Sequence, residues 1–286
     1  MRILLTGSKG QLGQCIKDRL PDDWELIAAD SQTLDITDAE AVSNMAHNFQ
    51  PDAIINAAAY TAVDLAEGER EKAFAVNSRA VHNLAKAARM VQAKFVHIST
   101  DYVFDGNSKV PYKESAAPAP QSVYGQSKLA GELLALAANT ESIVIRSAWI
   151  FSEYGKNFVK TMLGAAAERD ELHVVDDQTG CPTYAGDLAQ AIIDILHQPA
   201  FPRGIFHFCG HQSVSWYEFA QAIFQTAAAQ RNEFKAPQLT PINSSGYPTP
   251  AARPSYSVLN THKIETELGI MPSDWQKALN TIITKI

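Results

Sequence analysis

A phenol and an ammonium stand four residues apart in the stretch SVYGQSKLAGE, Ser122 to Glu132. On a helix, positions i and i+4 share a face, so Tyr124 and Lys128 point the same way. A cation beside a phenol favours the phenolate and draws the tyrosine pKa down from its ordinary value near ~10. A phenol so placed can protonate an oxygen on its way to becoming an alkoxide, which is general acid catalysis. The same lysine can hold a ribose hydroxyl and so fix a nicotinamide. Gly125, Ser127, Ala130 and Gly131 are small, and the expectation is a slim helix that lets a cofactor approach. By itself a Tyr-x-x-x-Lys pair is a common surface arrangement. Its meaning depends on what the rest of the chain places beside it.

Three other groups of residues point to the same chemistry. The apolar run KFVHIST ends in Ser99 and Thr100, followed by Asp101. A threonine hydroxyl at the carboxyl end of a strand can hydrogen-bond a substrate carbonyl and polarise it, whereas His97, in mid-run, reads as a core histidine. LLTGSKGQLGQ places Gly7, Gly10 and Gly13 after the first apolar run and into a helix, with Gln11 and Leu12 between the last two glycines. Glycines there let the backbone turn tightly, let a pyrophosphate approach, and let helix and strand pack without an intervening Cβ. Asp30 closes the second apolar run, where a carboxylate can accept from the adenosine ribose hydroxyls and disfavour a 2′-phosphate. Asp35 and Ile36 are expected near the adenine. Ala57, Ala58 and Ala59 follow the third run, where small side chains let a flat cofactor lie on backbone. Asp30 favours NADH, while Ser8, Lys9 and Ser31 leave room for NADPH.

Positioning these residues requires a particular scaffold. Apolar runs at Arg2–Thr6, Trp24–Asp30, Asp52–Ala59, Lys94–Thr100 and Ser142–Trp149 alternate with helical patterns at Gln11–Leu20, Asp38–Phe49, Glu69–Val91 and Val123–Ala138. Continuous apolar strands separated by helices predict a doubly wound parallel α/β sheet of the Rossmann type, with ligands off the carboxyl ends of its strands. Asp38 is expected to cap the second helix. Residues 1–150 are read as the dinucleotide-binding domain. Residues 151–286 are read as mainly a smaller substrate lobe, interleaved with the first and returning segments to it. In that lobe helices are expected at Asn157–Glu168, Gly186–His197, Ser215–Gln225 and Thr261–Leu268, with another from Ser273.

Composition narrows the function classes. The 286 residues are 46% hydrophobic, enough for one large domain with an appendage or two modest ones. A net charge of −7 argues against nucleic acid and anionic membranes as partners. Cys15, Cys181 and Cys209 form no CxxC or Cys/His cluster, so no metal site and no disulfide frame is expected. The chain opens directly on a strand-like run and holds no long apolar stretch. A cytoplasmic protein without signal peptide is the expectation.

Gly7-x-x-Gly10-x-x-Gly13, Asp30, NAAAYTAVDLAE, STDYVFDG, Tyr124-x-x-x-Lys128 and RSAWIF together resemble the extended short-chain dehydrogenase/reductases. The similarity is closest to the dTDP-4-dehydrorhamnose reductase family and runs the length of the chain, through NFVKTML, DDQTGCPTYAGDLA and YPTPAARPSYSVLNT. The resemblance implies hydride transfer from NADH or NADPH to the C4 ketone of dTDP-4-dehydro-L-rhamnose, giving dTDP-L-rhamnose. It implies that Tyr124 protonates the nascent alkoxide, that Lys128 tunes Tyr124 and binds the nicotinamide ribose, and that Thr100 orients the ketone oxygen with Asp101 beside it on the sugar. It further implies Trp149 against the sugar, and Asn157 and Arg253 on the nucleotide or diphosphate. Some relatives dimerise around magnesium held by glutamates. Here Cys15 stands where one such acid is expected and AGDLAQ follows CPTY without a glutamate, so a monomer or weak homodimer without metal is expected. Two alternatives stay open: a reductase of another nucleotide 4-keto-deoxysugar, and a catalytically silent NAD(P)-binding regulatory subunit.

Overall fold

The computed structural model of the protein describes residues 1–286. From the first residues onward, apolar runs become strands and the stretches between them become helices. The first half holds β1 (Arg2–Thr6), α1 (Gln11–Lys17), β2 (Glu25–Ala29), α2 (Ala39–Phe49) and β3 (Ala53–Asn56). It continues with α3 (Val63–Ala66), α4 (Arg70–Phe74), a π-helical turn at Ala75–Arg79, α5 (Ala80–Met90), β4 (Lys94–Thr100), α6 (Val123–Ala138) and β5 (Ser142–Ser147). The second half adds β6 (Ile150–Phe151), α7 (Phe158–Glu168), β7 (Glu171–Val175), β8 (Thr179–Gly180), β9 (Thr183–Tyr184), α8 (Ala185–Leu196) and β10 (Gly204–His207). It ends with β11 (Val214–Ser215), α9 (Trp216–Gln230), β12 (Gln238–Ile242), α10 (His262–Leu268) and α11 (Trp275–Ile282).

Six strands form one parallel sheet in the order β10-β5-β4-β3-β1-β2. Successive side chains of a strand face opposite sides, and both sides are covered, so the strands are apolar throughout. Ile3 and Leu5 join Ile55, Val96 and Ile145 on the face packed by α1 and α8. Leu4, Ile54 and Phe95 face the other way, against α2, α5 and α6. The Asp38 side chain accepts from the N–H groups of Glu40 and Ala41 and caps α2 as expected. No helix is long and apolar enough to cross a membrane.

The second half does not stand apart from the first. β10 is the edge strand beside β5, and α8 buries Leu188, Ile192 and Ile195 with Leu12 and Ile16 of α1. A separate core gathers α7, α9 and α11 around Phe151, Phe219, Trp275 and Leu279. Three helices differ from expectation, and the first is α1, which stops at Lys17 short of Leu20. The single helix expected over Glu69–Val91 is interrupted by the π turn. α9, opened by a Ser215–Glu218 capping box, runs past Gln225 to Gln230, because Thr-Ala-Ala-Ala-Gln gives the helix no reason to stop.

Candidate active site

A cleft of about 850 Å³ lies off the carboxyl ends of β1, β3 and β4. Its wall carries Gly7, Gly10, Gln11 and Leu12, Asp30, Asp35 and Ile36, Ala57 to Ala59, and both Tyr124 and Lys128. Gly7 follows β1 in the left-handed region at φ +74, and a Cβ on it would stand 2.5 Å from the Ala58 nitrogen. Only glycine permits that crossing of chains. The Gly10 N–H donates to the Gly7 carbonyl (3.0 Å), and no side chain caps the first turn of α1. Gly13 is not on the cleft wall: its missing Cβ would meet the Gly7 oxygen at 2.3 Å, so it serves helix–strand packing. The open backbone cradle, the acidic residue beyond β2 and the long cleft fit a dinucleotide.

Beneath the cleft floor a polar chain ties three strands together. Thr6 Oγ1 donates to Asn56 Oδ1 (2.7 Å), and the Asn56 amide meets His97 Nδ1 (3.1 Å). His97 is buried, and burial first and Lys128 second hold its pKa well below the ordinary imidazole range. At the rim, Lys9 forms an ion pair with Asp30, whose carboxylate also accepts from the N–H groups of Gln32 and Thr33. The Lys9 ammonium and these donors hold Asp30 far below the usual carboxylate range. The adjacent Lys9 ammonium offsets the Asp30 charge at this rim, where Lys9 is expected to leave room for NADPH.

Ser122 caps α6 by accepting from the Gly125 N–H (3.1 Å), and this sets the phase that turns Tyr124 and Lys128 toward the sheet. The Lys128 ammonium is buried and donates to the Ile98 carbonyl at 2.6 Å. Burial lowers it to about 8, against the raising effect of Glu132. Tyr124 departs from expectation. Burial raises its pKa above the ordinary phenol value, the neighbouring Thr100 hydroxyl opposes this, and Asp101 and Tyr102 add to it. Lys128 is turned to a backbone carbonyl and does not offset the desolvation. Tyr124 is thus a fully protonated phenol near neutral pH, still more acidic than the secondary alcohol it would help to form.

Thr100 and Asp101 are buried beside Tyr124, behind the cleft wall, because the chain folds back in a 3₁₀ turn at Asp101–Val103. Thr100 Oγ1 donates to Asp101 Oδ1 (3.0 Å) and accepts from the Tyr102 N–H (3.2 Å). Burial pushes the Asp101 carboxyl up to about 6, against the lowering effect of the Ser257 and Thr100 hydroxyls. The small residues of α6 do not line the cofactor cleft as expected. A Cβ on Gly125 would meet the Tyr102 oxygen at 2.2 Å, and one on Gly131 the Asn77 oxygen at 2.1 Å. They let α6 sit close against neighbouring chain.

Three residues expected on the substrate are engaged within the protein. Trp149, at φ 47, stacks on Trp216 with ring centroids 3.5 Å apart. Asn157 caps α7 by accepting from the Lys160 N–H (3.1 Å), and its amide donates to Gln11 Oε1 (2.9 Å) and to the Ser152 and Tyr154 carbonyls. With both ends of the amide occupied, Asn157 anchors Gln11 instead of offering itself to a ligand. Arg253 bonds Asp64 (2.7 Å) and the Tyr102 hydroxyl (3.1 Å). Tyr102 in turn packs edge-on against Tyr124, 5.6 Å between centroids.

Sequence reasoning passed over Asn56, Glu132 and Arg146, whose partners are distant in the chain, and the cleft residues Gly155 and Lys156. The GE that closes LAGE was the one local sign of Glu132. No three His, Cys, Asp or Glu side chains gather as metal ligands. Cys15 is buried and its thiol is pushed up to about 12, by burial first and then by Glu153.

The family model described as RmlD substrate binding domain matches residues 1–286. This chain belongs to that family. The RmlD-family chain is 47% identical over 287 residues to a dTDP-4-dehydrorhamnose reductase of Aggregatibacter actinomycetemcomitans, covering 98% of each. Its fold matches a dTDP-4-dehydrorhamnose reductase of Clostridium acetobutylicum with a TM-score of 0.94 and 40% identity, covering 100% of this chain and 99% of that one. The same reductase from Bacillus anthracis, solved in complex with NADP, matches with a TM-score of 0.94 and 36% identity over 100% and 99% of the two chains.

Proposed function

We propose that this chain reduces the C4 ketone of dTDP-4-dehydro-L-rhamnose to dTDP-L-rhamnose, using NADH or NADPH. The observation that carries the reading is the sharing of one cleft wall by Tyr124, Lys128 and the Gly7–Gly10 cradle. The names and full-length similarity of the relatives support the substrate class.

The reduced nicotinamide, when bound, supplies a hydride to the ketone carbon. Tyr124 donates its phenolic proton to the ketone oxygen as that oxygen gains charge. Thr100, beside Tyr124, orients the oxygen, and the Tyr124 phenolate left behind is reprotonated from solvent. Lys128, its ammonium fixed by the Ile98 carbonyl, would hold the ribose hydroxyls. Gly7, Gly10, Gln11 and Leu12 receive the diphosphate. Asp30, Asp35, Ile36 and Ala57 to Ala59 hold the adenosine and nicotinamide faces. Arg253 meets the sugar nucleotide once it exchanges Asp64 for phosphate, with Trp149 beside the sugar, while Asp101 acts from behind the wall through its hydrogen bond to Thr100 and Asn157 acts by fixing Gln11. The protein works in the cytoplasm as a monomer or weak homodimer, and residues 1–150 with β10 and α8 carry the cofactor.

The test is to offer purified protein dTDP-4-dehydro-L-rhamnose with each nicotinamide cofactor and follow its absorbance. Consumption of reduced cofactor with formation of dTDP-L-rhamnose is expected. No consumption with either cofactor would remove the reading.

A further inference from the structure

The loop between β6 and α7, Ser152 to Asn157, carries the second half of the chain to the wall of the cleft. It is built to hold one shape. The Tyr154 N–H donates to Ser152 Oγ (3.0 Å), and the Asn157 amide donates to the Ser152 carbonyl (2.7 Å). Gly155 turns the chain in the left-handed region at φ +60, and the Lys160 ammonium ties the Glu153 carbonyl back to α7 (3.0 Å). The loop is also fastened to both ends of α1. Ser152 Oγ and the Asn157 amide donate to Gln11 Oε1 (3.1 and 2.9 Å), and the Tyr154 hydroxyl donates to Asp18 Oδ2 (2.7 Å). A Cβ on Gly155 would stand 3.2 Å from Gln11 Cγ, so the loop lies directly against the start of α1. The Glu153 carboxylate accepts from the Tyr184 hydroxyl and pairs with Lys285. Every polar side chain of this loop is therefore engaged within the protein except one, Lys156, which is exposed on the cleft wall.

We propose that Lys156 is a cofactor-binding residue supplied by the second half of the chain: its ammonium takes the diphosphate of the nicotinamide dinucleotide, beside Gln11 and the Gly7–Gly10 cradle. The inference rests on the dinucleotide reading of the cleft. The charges on the wall carry it. Three ammoniums and two carboxylates line the cleft, and all but one already have partners. Lys9 is paired with Asp30. Asp35 accepts from the Thr37 N–H (2.9 Å) and hydroxyl (2.7 Å). Lys128 is buried and donates to the Ile98 carbonyl. Lys156 alone forms neither an ion pair nor a hydrogen bond. The cradle itself offers only neutral N–H groups, that of Gly10 is taken by the Gly7 carbonyl, and the first turn of α1, Gln11 to Gln14, holds no cation. A diphosphate there is anionic on both phosphates, and a lysine on a flexible stem is a point charge suited to it. The two exposed lysines of the cleft thus divide the work. Lys9, at the adenosine rim, meets a 2′-phosphate, and Lys156 meets the diphosphate that both cofactors share.

The sign follows from charge: removing a cation weakens the binding of an anion. Lys156→Gln should weaken NADH and NADPH by the same factor, about tenfold at low salt, since one charge-assisted contact common to both is lost. The deficit should narrow as salt is raised, because exposed charges are screened. Lys156→Arg, which keeps the charge, should bind both cofactors as the wild type does. Nicotinamide fluorescence titration gives these affinities. Calorimetric titration with ADP-ribose, which has the diphosphate but no nicotinamide, should show the same loss. Lys156 is exposed and unpaired, so the variants should keep the wild-type thermal midpoint. Unchanged affinity for both cofactors in Lys156→Gln would overturn the proposal. A loss confined to NADPH would overturn it too, by placing the lysine on the 2′-phosphate, and so would an unchanged affinity for ADP-ribose, by placing it on the nicotinamide. None of these titrations needs the sugar. A wild type that binds both cofactors but leaves the ketone untouched would count against the reductase reading while the result for Lys156 stands, and one that binds neither would remove the dinucleotide reading and this inference together.

Discussion

Lys9 and Asp30 meet at the rim of the cleft, where the adenosine end of a dinucleotide belongs. A free carboxylate there would accept from both ribose hydroxyls and turn away a 2′-phosphate. Paired with Lys9, its charge is offset, and on the proposed reading the ammonium leaves Asp30 for the phosphate of NADPH. Lys9→Ala should weaken NADPH binding about tenfold while NADH binding changes little, since one charge-assisted contact to phosphate is lost. Asp30→Ala should shift the ratio of affinities toward NADPH. Equilibrium titrations with both cofactors check this, and unchanged ratios in both variants would remove this pair from cofactor selection. The identity of Asp30 and its place after β2 were legible in the sequence, but its partner was not, because the two approach only when the glycine turn and the end of β2 fold together. The Tyr124 environment was illegible for a related reason. Helical spacing places Lys128 on the same face, but that its ammonium is buried and turns to the Ile98 carbonyl depends on chain thirty residues away.

At the scale of elements, the apolar runs and helical spacing showed the strands of the central sheet and most helices but missed the short strands β6, β8, β9, β11 and β12 and the π turn at Ala75–Arg79. The turn carries its own logic. Asn77 accepts from the Tyr60 N–H (2.8 Å) and donates to the Tyr60 carbonyl and Ser127 Oγ (3.0 Å each), so its side chain is fixed between α6 and the chain after β3. Its backbone oxygen comes so near Gly131 that a Cβ there would stand at 2.1 Å. A widened turn in one helix and a missing side chain in the next are two halves of one contact, and a single helix pattern shows neither. Gly131→Ala should therefore overpack the contact and destabilise by about 1–3 kcal/mol. Gly164→Ala, in α7 with nothing within 4 Å, should be neutral or stabilise by up to about 1 kcal/mol. Urea unfolding of the two variants tests the pair, and equal midpoints would contradict it.

Over the whole molecule, the parallel sheet was legible because its strands are uniformly apolar, whereas the path of residues after 150 was not. GIFHFCG is a short run with no mark of which sheet it joins, yet it completes the central one beside β5. The sheet of residues 1–150 lacks its β10 edge and the α8 cover over Leu12, Ile16 and Ile145. A fragment ending at residue 150 should fail to fold cooperatively, and a sharp thermal transition from it would contradict that. The same assembly brings β1, β4 and α6 to one end of the sheet, and the account of function stands on that meeting at Tyr124. Single-turnover reduction of dTDP-4-dehydro-L-rhamnose by Tyr124→Phe, with NADPH affinity measured alongside, tests it most directly. The account predicts reduction slower by about 10²–10⁴-fold with cofactor affinity nearly unchanged. Reduction at the wild-type rate would contradict it.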